Sequence, residues 1–83
     1  MIDKIIVIAL LRILKQTKGH MMPETVLFNH INIDLASPAQ PSLLQEQLIF
    51  AKDKGWVDYQ VDEFKIEKWW ITSAGEVQLS NQI

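Results

Sequence analysis

The sequence predicts an α+β protein in which three helices are followed by a β-hairpin and a short last helix. Three observations carry that prediction. Residues 5–11 are an unbroken apolar run within a stretch of helical periodicity. Residues 41–54 read as a further helix stopped by Gly55. From Trp56 to Ile71, apolar and aromatic residues alternate as in strands, around a polar step at Asp62-Glu63.

Length and composition set the outer limits. A chain of 83 residues buries only about 60–65% of its unfolded surface, so one compact domain spanning 1–83 is expected. Hydrophobic residues make up 48% and charged residues 22%, which argues against disorder. There is no cysteine, which excludes disulfides and thiolate metal sites and fits a reducing compartment. The apolar run near the N-terminus ends at Arg12, far short of the ~20 residues a membrane span needs. Asp3 precedes Lys4 and no small-residue cleavage pattern follows, unlike a secretory signal. A cytoplasmic protein with a buried first helix, and no membrane partner, is the expectation.

The first helix spans 3–17. With Ile6 at the centre of the inward face, Ile2, Ala9, Leu10, Ile13 and Thr17 share its side, flanked by Ile5, Val7 and Leu14. The opposite side holds Lys4, Ile8, Leu11, Arg12 and Lys15. Ile8 and Leu11 are thus apolar residues on a polar face. Either the chain itself covers them, or they form a homodimer interface. Gly19 suits the position after the helix, with Lys15 and Lys18 complementing its dipole.

His20-Met21-Met22 is a connector that can add a brief edge strand. Pro23 suits a first helical position and Glu24 a first turn. The second helix runs to about Asn32, with Val26, Leu27, Phe28 and Ile31 on one broad face. Residues 33–40 form the turn. Ser37-x-x-Gln40 and Ser42-x-x-Gln45 both fit a capping box. Pro41 would sit awkwardly at the fourth position of a helix begun at Pro38, so the third helix starts at Pro41 or Ser42. It ends at Lys54, with Gly55 next.

In the first strand, Trp56–Val61, Val57, Tyr59 and Val61 point one way. Asp62-Glu63 is the turn, and neither residue is Gly or Asn, which leaves room for a longer loop. In the return strand Phe64, Ile66, Lys68 and Trp70 share one face, Trp69 and Ile71 the other. Thr72 or Ser73 caps the last helix, where Ser73-x-x-Glu76 is another capping box and Val77 and Leu79 are the residues to bury. No repeat or low-complexity tract interrupts this order.

Leu44, Leu48 and Ala51, then Lys54-Gly55-Trp56-Val57, then Trp70-Ile71-Thr72-Ser73-Ala74-Gly75 resemble the recognition helix and wing of a winged helix-turn-helix domain. The element order is similar to small prokaryotic regulators of the MarR or PadR kind, with Ala51 and Ile71 at positions where that pattern carries Leu. The resemblance implies a three-helix winged helix-turn-helix with a C-terminal hairpin wing and a short last helix. It implies a DNA-binding transcriptional regulator acting as a homodimer. The third helix would enter the major groove of double-stranded DNA, and the hairpin would touch a neighbouring groove or backbone. Candidate contacts are Ser42, Gln45, Glu46, Gln47, Lys54, Lys65 and Lys68. The alternative is a protein-interaction module without DNA binding, using Ile8, Leu11, Leu43 and Phe50.

Charge bears on that choice. Residues 41–72 hold four lysines against six acids, net −2, whereas residues 1–22 hold four cations against Asp3, net +3. An acidic step at Asp62-Glu63 repels phosphate. Leu43, Glu46, Gln47 and Phe50 form an i, i+3, i+4, i+7 set on the third helix, a pattern suited to a protein partner. Other chemistry is not signalled. His20 and His30 lie ten residues apart without cysteine, so no metal is expected. There is no phosphate-cradling glycine loop and no nucleophile–base pair, so neither cofactor nor enzymatic activity is expected. Trp56, Trp69 and Trp70 lack an interleaved basic groove and read as packing residues.

Overall fold

The computed structural model describes residues 3–18, 20–35 and 38–81. The positions assigned above to Ile2, Gly19 and Ser37 lie outside them. The elements are α1 (Lys4–Gln16), β1 (Met22–Pro23), α2 (Glu24–Asp34), α3 (Pro41–Asp53), β2 (Val57–Val61), β3 (Glu67–Ile71) and α4 (Ser73–Asn81). Among the described residues, four helices accompany an antiparallel sheet of order β1-β3-β2.

Helix α1 is the centre of the core. Asp3 caps it, its carboxylate accepting from the Ile5 and Ile6 amides at 3.0 and 3.3 Å. It buries Ile6, Val7, Ala9, Leu10, Leu11, Ile13 and Leu14 and packs against α2, α3, α4 and β3. Leu11 is fully buried, which settles the alternative left open for it: other parts of the chain cover it. Ile5 is 70% exposed, so the buried arc is rotated away from it and toward Leu11.

Met22 and Pro23 form the brief edge strand, opposite Trp69 and Lys68. Pro23 caps α2 and stands one position before its first residue. Only Leu27 and Ile31 of α2 are fully buried; Phe28 is half-buried and Val26 exposed. The helix reaches Asp34, two residues beyond the expected end, and Asn32 Oδ1 accepts from the Ala39 amide at 2.9 Å to tie down the turn. Helix α3 starts with Pro41 at its first position, where no amide is needed.

Val57 faces Ile71 and Tyr59 faces Trp69 across the hairpin, which puts the apolar pair and the aromatic pair on the inner side. The Trp69 indole N–H is buried with no acceptor among the described residues, a cost of about 1–3 kcal/mol. Burying ~150–250 Å² of indole, worth roughly 4–6 kcal/mol at ~25 cal/mol per Å², outweighs it. Tyr59 also stacks on Trp69 at 4.7 Å between centroids.

The connection is longer than two residues. Asp62 Oδ1 accepts from the Phe64 and Ile66 amides at 2.8 and 3.0 Å, and Lys65 takes a positive φ of 61°. Phe64 and Ile66 thus belong to the loop, not to the return strand, and Phe64 is 76% exposed.

Candidate functional site

The corner between α3 and the hairpin decides what surface the chain presents. Lys54 caps α3 and Gly55 follows at φ +79°, a conformation that suits glycine. Gly55 N–H donates to the Lys52 carbonyl at 2.9 Å and Trp56 N–H to the Ala51 carbonyl at 3.0 Å. These two bonds make a Schellman turn, and the apolar contact that accompanies such turns is Phe50 against Trp56, edge-to-face at 5.7 Å. Phe50 is therefore half-buried for a structural reason.

Thr72 then fastens the far end of the hairpin to the same corner. Its amide donates to the Trp56 carbonyl at 3.0 Å, its hydroxyl donates to the Gly55 carbonyl, and its hydroxyl oxygen accepts from the Gly75 amide at 3.1 Å. Thr72 is the cap of α4. Glu76 does not close a capping box on Ser73; its carboxylate holds Lys18 at 3.0 Å. Gly75 lies where α4 crosses the corner. A Cβ there would come 2.1 Å from the Trp56 carbonyl oxygen and 2.8 Å from Ile71 Cγ1. The Ile71-Thr72-x-x-Gly75 step is thus a backbone staple that fixes the hairpin beside α3.

The surface so presented differs from the expected one. Ser42, Glu46, Ile49 and Asp53 lie within about 60° of one another on α3, opposite the buried Leu44, Leu48 and Ala51. All four are exposed, Ile49 to 49%. Ser42, Gln45, Glu46 and Lys54 are on the surface as expected. Gln47 is not: it is fully buried, and its Oε1 accepts from the Asp3 amide at 2.8 Å, so it joins α3 to the start of α1. Lys65 is exposed in the loop, Lys68 is half-buried 3.5 Å from Asp62, and Lys54 lies 5.6 Å over the Phe50 ring. Of the interface candidates, Leu11 is interior, while Ile8, Leu43 and Phe50 are half-buried against the core.

Ile49 and the apolar hairpin tip, where Val61, Phe64 and Ile66 are all exposed, are not among the residues expected from the sequence. Extending the helical wheel from Leu44 through 53 would have found Ile49. The tip depends on Asp62 closing a loop through its side chain, which spacing alone does not show.

Between this face and the sheet, a cleft of about 250 Å³ has Glu24, Ile49, Lys52, Asp53, Tyr59 and Glu67 among its lining residues. Pairing of Pro23 with Lys68 brings the next residue of α2, Glu24, beside Glu67. Burial, then the Glu67 carboxylate, pushes the Glu24 pKa above the ordinary glutamate value. Lys52 Nζ lies 5.3 Å over the Tyr59 ring. His20 and His30 are both exposed, and no group of three or more His, Asp or Glu among the described residues is placed to hold a metal ion. No helix among the described residues is long and apolar enough to cross a membrane.

The arrangement so far is an α+β chain whose hairpin is stapled to the C-terminal corner of α3. The same fold occurs in the crystal structure of the candidate transcriptional regulator TA0346 from Thermoplasma acidophilum, with a TM-score of 0.65 and 23% identity over 88% of this chain and 74% of that one. No protein-family model and no curated protein matches the chain.

Proposed function

We propose that the chain is a winged helix-turn-helix module with a regulatory role in transcription, and that its α3–hairpin face docks a protein partner in place of duplex DNA. The name of the Thermoplasma acidophilum protein and the stapled hairpin support the first half. One observation carries the second half. The helix that would enter a major groove turns Glu46, Ile49 and Asp53 outward, beside a hairpin tip made of Val61, Phe64 and Ile66. Carboxylates on that face oppose phosphate, and exposed apolar side chains gain nothing from a solvated duplex. They suit an apolar, basic-rimmed protein surface.

Direct DNA contact is the second reading. Ser42 and Gln45 are exposed at the start of α3, and Lys54 and Lys65 flank it. Duplex added to isotopically labelled protein at low salt separates the two. The expected outcome is unchanged amide resonances over 41–53 and 61–67. Shifts confined to those residues and reversed by salt would establish the DNA reading.

A further inference from the structure

Strand β2 lies at one edge of the sheet, with β3 on one side and, among the described residues, no strand on the other. The two ends of the hairpin set its hydrogen-bond phase. Thr72 N–H donates to the Trp56 carbonyl and Asp62 N–H to the Ile66 carbonyl, so Trp56, Asp58, Gln60 and Asp62 turn their backbone groups toward β3. Val57, Tyr59 and Val61 turn theirs to the open edge. The Tyr59 amide agrees with this phase: it donates to the carboxylate of its exposed neighbour Asp58, at 2.8 Å. That carboxylate occupies the place where the carbonyl of a further strand would bond.

Read from either end, β2 presents nearly the same surface. Val57 matches Val61, polar Asp58 matches polar Gln60, and Tyr59 is the midpoint. Such a strand fits itself run backwards, which is what a two-fold axis requires. We propose that two copies of this chain join edge to edge through β2, antiparallel about an axis at Tyr59, and merge their three-stranded sheets into one. Tyr59 exchanges N–H···O bonds with Tyr59 of the second copy, and Val57 with Val61 of the second copy. Asp58 releases the Tyr59 amide and faces the Gln60 side-chain amide of the second copy, a donor suited to its carboxylate. Charge selects this register. Sliding to the next allowed one in either direction sets Asp58 opposite Asp58 or Asp62 of the second copy, where like charges repel. The strand is only five residues long, so the contact is small and association weak.

Position 60 separates dimerisation from folding. Gln60 is opposite Lys68 within the chain and opposite Asp58 of the second copy across the new edge. Gln60→Lys therefore weakens the fold slightly and tightens the dimer, and Gln60→Glu does the reverse. Two symmetric contacts shift the dimer constant by roughly 2–30-fold in each direction. Sedimentation equilibrium from micromolar to millimolar protein, at about 0.15 M salt to screen net charge, reads the mass. The unmodified chain is expected to climb from 9.6 kDa toward twice that value, Gln60→Lys at lower concentration and Gln60→Glu at higher. Val61→Pro removes an amide from the open edge and none from the bonds to β3, so it is expected to keep its circular dichroism and stay monomeric. A strict monomer of the unmodified chain at millimolar concentration overturns the proposal. So does association that the two Gln60 variants leave unchanged or move in the same direction, or a folded Val61→Pro chain that dimerises as before.

Discussion

Thr72 and Gly75 hold the same corner by different means. The Thr72 hydroxyl satisfies two backbone partners, the Gly55 carbonyl and the Gly75 amide, and Thr72→Ala should cost about 1–2 kcal/mol, with Thr72→Ser recovering most of it. Gly75→Ala sets two effects against each other. Alanine raises helix propensity by about 1 kcal/mol. Its Cβ, however, would sit 2.1 Å from a carbonyl oxygen, and overpacking against backbone costs about 1–3 kcal/mol or more. Net destabilisation in a denaturant titration is the expected outcome; a neutral result would mean that α4 moves freely off the corner. Leu11 and Ile8 give a second test at this scale. Leu11→Ala should cost about 2–5 kcal/mol, and Ile8→Ala clearly less, since Leu11 is interior and Ile8 half-buried. Gln47 illustrates what local spacing could not reveal. Glutamine is usually solvated, and a group that satisfies this buried one is the Asp3 amide, 44 residues away.

The elements themselves were largely legible from local signals. Pro41 and Gly55 bound α3 because proline tolerates only the first turn and glycine tolerates the positive φ beyond the last. The paired strands followed from alternation. Their loop was less accessible, because Asp62 closes it with a side chain and holds Phe64 in solvent. The contact between α2 and β3 carries a pH signature. Glu24 has its folded pKa raised, chiefly by burial and then by Glu67, above the ordinary 4.5. A raised folded pKa means that the native state holds the proton more tightly than the unfolded chain does. That contribution to stability is complete below about 4.5 and is lost as pH rises through the folded value. Asp62 has the opposite sign: amide bonds from Ile66 and Phe64 lower its pKa, so its contribution is lost as pH falls. Urea midpoints measured from pH 4 to 7 should therefore decline on the alkaline side of this window, and Glu24→Gln should flatten that decline. An unchanged slope in the variant would place its origin elsewhere.

For the whole molecule, charge distribution matters more than net charge. A value of −2 conceals a basic first helix and an acidic α3–hairpin segment. The fold brings Glu46 and Asp53 of the acidic segment to the outer face of α3, and it leaves Ile49 there and Phe64 on the hairpin exposed. The charge imbalance is legible in the sequence, where helical spacing points to Leu43 and Phe50 as the apolar component. Both are partly claimed by packing, Phe50 by its contact with Trp56. Breaking the Lys18–Glu76 pair with Glu76→Gln should change stability by less than about 1 kcal/mol, because Lys18 is largely exposed. Anisotropy of a labelled mixed-sequence duplex, titrated with the protein at low salt and repeated at rising salt, decides whether the α3–hairpin surface takes a protein in place of duplex DNA. No saturable binding is expected even at low salt; affinity that falls steeply as salt rises, with a log–log slope of several phosphates, would establish DNA as the ligand.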